Sequence, residues 1–373
     1  MELPAFPLVQ WFAAAEDRFD ISLSHSDCEP LSVSDILSDA EQKAFADFPL
    51  GYGSFAGLEE LRQSVADQYT SLKQDDVLIF GGASEAIYTF MRTNLNTGDE
   101  VVIQAPIFNS LKATAQAIGC RIIEWRPTNE ITHEFDVSSL IDLCNEQTKL
   151  IVFNFPHNPS GQMISENELK AIVETAQRYD ALIFSDEQFR MLEQPGTPLL
   201  PAACDLYDKA VSVTGVSKTL GLGGLRIGWL ATRNRIVLKH AQEYRYYTTE
   251  MTNTPCQMLA TQAMKHRVEI LSRNRKRIVQ NLKQLQSFCL RHENHLELHP
   301  PQAGSMAAVE QKTSFPSREF CQRLLDKQRV LLVPGEVMGI SDRLLRIGLG
   351  RNGFKHGLNR LETFLHSISS EDL

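Results

Sequence analysis

A lysine and an arginine stand eight residues apart in one glycine-rich stretch, Gly215 to Arg226, with Ser217 and Lys218 at its start. A lysine that must attack or release a carbonyl needs a depressed pKa in a partly desolvated site, and a fixed cation nearby helps. A dinucleotide fingerprint is the rival reading, but Arg226 falls where the third glycine should be, and no GxxxxGK[ST] occurs anywhere. Earlier, Gly81, Gly82, Ala83 and Ser84 follow an apolar run and precede a helical pattern. Small residues with free N–H groups at a helix start cradle an anion, most simply phosphate; a plain strand–helix turn is the alternative. His157 and Asn158 lie in the rigid turn PHNPSG, and Asp186 with Glu187 ends another apolar run. A carboxylate there is either a ligand or a helix N-cap.

These groups need elements to hold them. Short apolar, β-branched runs at 77–80, 101–104, 121–125, 150–155, 181–184, 210–214 and 227–231 suit strands buried on both faces. Helical patterns lie between several of them, one opening with the capping box Ser165–Glu168. This alternation predicts an α/β fold: a large domain with a mostly parallel sheet between helices, whose ligands gather at the carboxyl ends of the strands. After Pro255 a long amphipathic helix is expected, with Leu271, Ile278, Leu282, Leu285 and Cys289 on one stripe. A smaller α+β piece then follows, with strands at 329–334 and 344–349 and a closing helix. The expected division is 1–47 as N-terminal arm and part of the small domain, 48–262 as the large domain, and 263–373 as linking helix and C-terminal small domain.

Composition agrees. The 373 residues are 43% hydrophobic and 22% charged with a net charge of −9, which excludes collagenous, disordered and membrane classes. No basic run marks a nucleic-acid or anionic-membrane binder. Seven scattered cysteines without CxxC or Cys/His clusters argue against a disulfide framework or a metal site and fit a reducing cytoplasm. The N-terminus lacks the positive region of a secretory signal.

One lysine, one arginine, a phosphate cradle and a buried carboxylate together match what pyridoxal phosphate requires. Along nearly its whole length the chain resembles fold-type I pyridoxal-phosphate enzymes of the class I/II aminotransferase superfamily. The resemblance implies that Lys218 carries the cofactor as a Schiff base and moves the Cα proton. It implies that Asp186 pairs with the pyridine nitrogen, Asn158 bonds the ring's O3′ and Phe108 stacks on the ring. Ala83, Ser84, Ser217 and Arg226 would hold the phosphate, and Arg346 the substrate α-carboxylate. Tyr52 matches the tyrosine that such homodimers lend to the neighbour's phosphate.

Two departures bear on the reaction. Phe189 stands where these enzymes usually carry a tyrosine that donates to O3′, so the imine is expected to stay protonated to higher pH. Near the N-terminus His25 replaces an expected serine in a segment that passes over the substrate side chain. It is either a second acid/base or a solvated loop histidine. Asp27, Glu29 or Glu16 could pair with a cationic side chain, or cap the following helix. These features resemble a branch acting on arginine derivatives, which includes capreomycidine synthase-like and enduracididine-forming cyclases and arginine oxidases. The resulting expectation is a cyclodehydratase acting on a hydroxyarginine. The alternatives are a plain aminotransferase with an α-keto acid acceptor, an arginine oxidase, and a non-catalytic regulator that binds the cofactor.

Overall fold

The computed structural model describes residues 2–368. The strands in chain order are β1 (Ile21–Ser22), β2 (Val77–Phe80), β3 (Glu100–Gln104), β4 (Arg121–Trp125), β5 (Thr148–Asn154), β6 (Leu182–Asp186), β7 (Ala210–Gly215), β8 (Gly228–Ala231), β9 (Leu296–His299), β10 (Met306–Gln311), β11 (Val330–Leu331), β12 (Val333–Pro334) and β13 (Leu344–Gly348), and β2 to β8 fall on the seven expected runs of the large sheet. Seven of them make one sheet in the order β2-β8-β7-β6-β5-β3-β4. Its strands are parallel except β8, which runs antiparallel to both neighbours. An antiparallel neighbour needs no long crossover. The link from β7 to β8 is accordingly short, and it is the segment that carries Lys218 and Arg226.

Both faces of this sheet are apolar, so helices cover both. On one side Phe80, Phe90 and Phe184 meet the helices Ala83–Asn94 and Asn109–Ile118, with the Phe90 and Phe184 rings 4.3 Å apart. On the other, Phe153, Phe155 and Ile183 pack against Leu169, Ile172 and Val173 of the helix Glu166–Arg178, whose N-terminus is capped by Ser165 and Glu168 as its sequence predicts.

The second sheet is antiparallel, in the order β12-β13-β10-β9. Here the structure departs from the sequence reading. The run 329–334 is not one strand: β11 pairs in parallel with β1, while β12 joins β13 in the other sheet. Strands β9 and β10 were not expected, since Met-Ala-Ala and Glu-Gln have little β preference and only their pairing makes them strands. The helical stretch after Pro255 divides into Thr254–Lys265 and Arg267–Arg291; Ile278, Leu282, Leu285 and Cys289 of the second are buried, as the stripe requires.

The N-terminal segment lies between the two sheets. The helix Pro7–Ala14 is fastened by the Trp11 indole N–H donating to the Leu332 carbonyl at 2.9 Å. The following residues run beside β13, where Gly348 N–H donates to the Leu23 carbonyl at 2.7 Å. A Cβ at Gly348 would come within 1.9 Å of the His25 carbonyl oxygen, so only glycine permits this approach. Gly348→Ala is therefore expected to cost about 2 kcal/mol or more through forced backbone movement, read as a lower midpoint in thermal denaturation. An unchanged midpoint would mean that this segment is not seated against β13.

Candidate active site

The carboxyl ends of β5, β6 and β7, the cradle after β2 and the N-terminal segment enclose a cavity of about 410 Å³. It is lined by His25, Asp27, Ala83, Ser84, Phe108, Asn158, Asp186, Phe189, Ser217, Lys218, Arg226 and Arg346, all of them candidates from sequence. Three candidates, Tyr52, Glu16 and Glu29, are elsewhere. Tyr52 is 91% exposed, and Glu16 is exposed just past the first helix; neither lines the cavity. A larger groove of about 1320 Å³ runs along the helix Arg267–Arg291 and contains none of the candidates.

Lys218 sits on the short helix Val216–Thr219 directly after β7. Burial pulls its pKa below the ordinary lysine value; Asp27 opposes that shift, Arg346 reinforces it, and Asp186 and Arg226 act more weakly. Its ammonium donates to the Ser26 hydroxyl at 2.9 Å. Asp186 ends β6 rather than capping a helix, and it accepts the Gln188 N–H at 3.1 Å. Burial drives its carboxyl up to about 7, against the pull of that hydrogen bond and of Lys218. A cation placed opposite would stabilise the carboxylate.

The cradle is tightly built. Phe80 pairs with Gly228 across β2 and β8, and a Cβ on Gly228 would lie 2.4 Å from the Ala83 nitrogen. Gly82 holds φ at 96°, and a Cβ there would meet Arg226 Nη2 at 2.4 Å. These two glycines thus bring the helix start at Ala83 and Ser84 up to the Arg226 guanidinium. No side chain caps that helix, so its first N–H groups remain for an anion.

Arg346 stands mid-strand in β13, between Val333 and Ala308. It donates to Asn158 Oδ1 at 3.2 Å and to the Ser24 carbonyl at 3.0 Å, while its buried Nε has no partner. Burial lowers its pKa to about 10. An unsatisfied donor on a buried guanidinium beside a cavity suits a carboxylate. His25 stacks on Phe12 with centroids 5.5 Å apart, and burial lowers its pKa, so the ring is neutral near pH 7. It is therefore not a solvated loop histidine.

The acidic residues are a correction to the sequence reading. Asp27 does face the cavity, but Arg351 donates to both its oxygens, at 3.3 and 2.8 Å. Glu29 accepts from the Asn352 N–H at 2.6 Å. With Glu16 outside, no free carboxylate of this chain waits for a substrate cation among these three residues.

Three cavity residues escaped sequence reasoning. Asn154 lies in register with Asp186, donates to its carbonyl at 2.8 Å and accepts the Asn158 N–H at 2.9 Å, thereby fixing both. A lone asparagine in an otherwise apolar strand is the signal that could have found it. Ser26, partner of Lys218, adjoins His25 in sequence. Gln188 presents a buried Nε2 without a partner. His157, in contrast, is structural: one ring nitrogen meets Ser160 Oγ at 2.7 Å, the other the Pro106 carbonyl at 3.0 Å, and burial takes its pKa to about 3.

Residues 22–358 match the family described as aminotransferase class I and II, and the chain belongs to that family. It is 28% identical to capreomycidine synthase of Streptomyces vinaceus, over 99% of this chain and 94% of the relative. The structure of a PLP-dependent aminotransferase from Streptococcus suis 89-1591 superimposes with a TM-score of 0.93 at 28% identity, covering 99% of this chain and all of that one. The PLP-dependent cyclase OrfR gives a TM-score of 0.89 at 27% identity, with 99% of both chains covered. The cofactor is thus pyridoxal phosphate. The cavity fits it, since a half-buried lysine, a strand-end carboxylate and a glycine-built anion cradle beside Arg226 all face one space.

The raised Asp186 pKa has a stability consequence for the cofactor-free protein. The folded chain keeps this proton to higher pH than the unfolded chain, so its contribution is present in acid and fades as pH rises toward about 7. Relative to Asp186→Asn, the wild-type apoprotein should lose thermal stability between about pH 5 and about pH 8. A constant difference in denaturation midpoint across that range would refute the shift.

Proposed function

We propose that this enzyme is a cyclodehydratase that converts a hydroxylated arginine into a cyclic guanidino amino acid. The observation that carries the reading is a second acid–base group, His25, half-buried in the same cavity as Lys218, with its pKa lowered by that burial. The likeness to capreomycidine synthase and to the cyclase OrfR supports it. In this reading Lys218 would carry the cofactor, Asp186 would pair with its pyridine nitrogen, Asn158 would bond O3′ and Phe108 would stack on the ring, while Phe189 would leave O3′ without a tyrosine donor. Ala83, Ser84, Ser217 and Arg226 hold the phosphate. When bound, the cofactor supplies an electron sink that weakens the Cα–H bond.

The chain's own groups do the rest. Arg346 grips the α-carboxylate as a fork, which turns the Cα proton toward Lys218. Lys218, its pKa lowered by burial, takes that proton and later returns it. Neutral His25 takes a proton from the substrate guanidinium and hands it to the departing side-chain hydroxyl. The freed guanidine nitrogen bonds to the carbon that lost the hydroxyl, so one water leaves and nothing is oxidised. Confinement of nucleophile and electrophile in one cavity supplies much of the rate. Phe12, Phe108 and Phe189 keep that space apolar.

A plain aminotransferase using an α-keto acid is the second reading, favoured by the Streptococcus suis neighbour. Mass spectrometry in D₂O with arginine, 3-hydroxyarginine and 4-hydroxyarginine, each with and without 2-oxoglutarate, separates the two. The cyclase gives a product lighter by one water, deuterated at Cα and independent of the keto acid. A keto product that appears only with 2-oxoglutarate means transamination. In the cyclase reading His25→Gln loses about 100-fold in cyclised product while deuterium still enters Cα. His25→Ser and Phe189→Tyr variants with full cyclising activity would remove the grounds for it.

Association with a second copy belongs to the same proposal. Leu50, Tyr52, Phe55, Tyr246 and Tyr247 are all exposed, a concentration of large apolar side chains that marks an interaction surface. Tyr52 of the partner subunit would then reach the phosphate. Tyr247→Glu should convert a dimer into a monomer in analytical ultracentrifugation; wild-type protein sedimenting as a monomer would refute the assembly.

A further inference from the structure

Glu85 lies in the first turn of the helix Ala83–Asn94, three positions beyond Gly82. A glutamate at that position ordinarily reaches back toward the helix start; the Gly82 N–H there donates to the Phe80 carbonyl at 2.7 Å, so the N–H groups of Ala83 and Ser84 are the ones an anion would meet. Here it is held elsewhere. One carboxylate oxygen accepts the Gly81 N–H and the other accepts the Thr249 hydroxyl. That second oxygen also stands 3.6 Å from Nε of Arg245.

Arg245 cannot move with it. The residue is fully buried at the end of the helix Arg235–Arg245, with its guanidinium 4.8 Å over the Phe80 ring. It donates to the Ile79 carbonyl at 2.7 Å and to Thr252 Oγ1 at 3.0 Å. Burial draws its pKa down, and the Glu85 carboxylate is the main group opposing that. A buried guanidinium fixed by strand β2 therefore anchors a carboxylate that would otherwise be mobile.

We propose that Arg245, with Thr249, is a positioning residue of the cofactor's phosphate site: it holds Glu85 away from the helix start, leaving Ala83, Ser84 and Arg226 to the phosphate. The inference rests on the reading that this cradle takes the phosphate. Released, Glu85 is an anion tethered beside an anion site, and tethering makes it a competitor at high effective concentration. It would gain the first-turn N–H groups and the Arg226 guanidinium, which lies against Gly82.

The test uses cofactor-free, full-length protein and equilibrium dialysis with pyridoxal phosphate and with pyridoxal, which lacks the phosphate. Arg226→Met should abolish the preference for the phosphorylated form; if the preference survives, the cradle reading fails and this inference with it. Arg245→Met should weaken pyridoxal phosphate about tenfold while leaving pyridoxal within about twofold, because only the phosphate competes with a freed Glu85. Adding Glu85→Gln should restore most of that loss, since a neutral amide no longer competes. If Arg245→Met does not fold, Thr249→Val carries the same comparison, with an expected loss of about threefold that Glu85→Gln again erases. Equal weakening of both ligands, or no recovery with Glu85→Gln, overturns the proposal while leaving the cradle reading intact if Arg226→Met has lost its preference.

Discussion

A lysine ammonium withdrawn from water loses its hydration, and the desolvation of Lys218 obliges the chain to supply what water would have supplied. Two carboxylates, Asp27 and Asp186, favour the ammonium; Arg346 and Arg226 oppose it, as burial does. Those groups come from separate places: the N-terminal segment, the end of β6, the middle of β13 and the link into β8. The charge on one nitrogen therefore depends on the closure of two sheets around it. The same reasoning explains the pairing of Asp27 with Arg351, which tethers a carboxylate that lies close to the lysine.

The large sheet and most of the cavity were legible in the chain, for a physical reason. Strands buried on both faces must be apolar throughout, so Val77–Phe80 and Leu182–Asp186 stand out, and the polar residues that end them are exposed as functional by contrast. Lys218, Asp186 and Arg226 are readable because glycine-rich turns and strand-end carboxylates have few structural uses. Arg346 is different. A single arginine within an apolar strand says little until β10 and β12 enclose it, and those strands owe their existence to pairing rather than to propensity. The acidic residues failed for a related reason: whether Asp27 is free depends on Arg351, which is 324 residues away in the chain. Sequence reports a carboxylate, but only packing reports who already holds it.

The cavity has two unlike halves. The half around Lys218, Asp186 and Arg226 is framed by backbone: glycines at 82 and 228 that admit no Cβ, helix N–H groups, and strand ends in register. The other half is made of side chains from the N-terminal segment, among them Leu8, Phe12 and His25. The first half can tolerate little change because backbone cannot give way, whereas the second can change residue by residue without disturbing the sheet. Differences among members of the family in what they act on are thus expected to gather in the second half, where His25 lies.

The N-terminal segment is held by groups made almost last. Trp11 bonds a carbonyl 321 residues further along, and Ile21 pairs with Val330. During synthesis the residues of this segment emerge some 321 residues before the groups that seat them, a long loop to close. The strands that frame the cofactor side, up to Ala231, are complete well before that. A growing chain can therefore shape its cofactor cradle while the substrate pocket still lacks a wall, and the enzyme gains its specificity only as the last strands arrive.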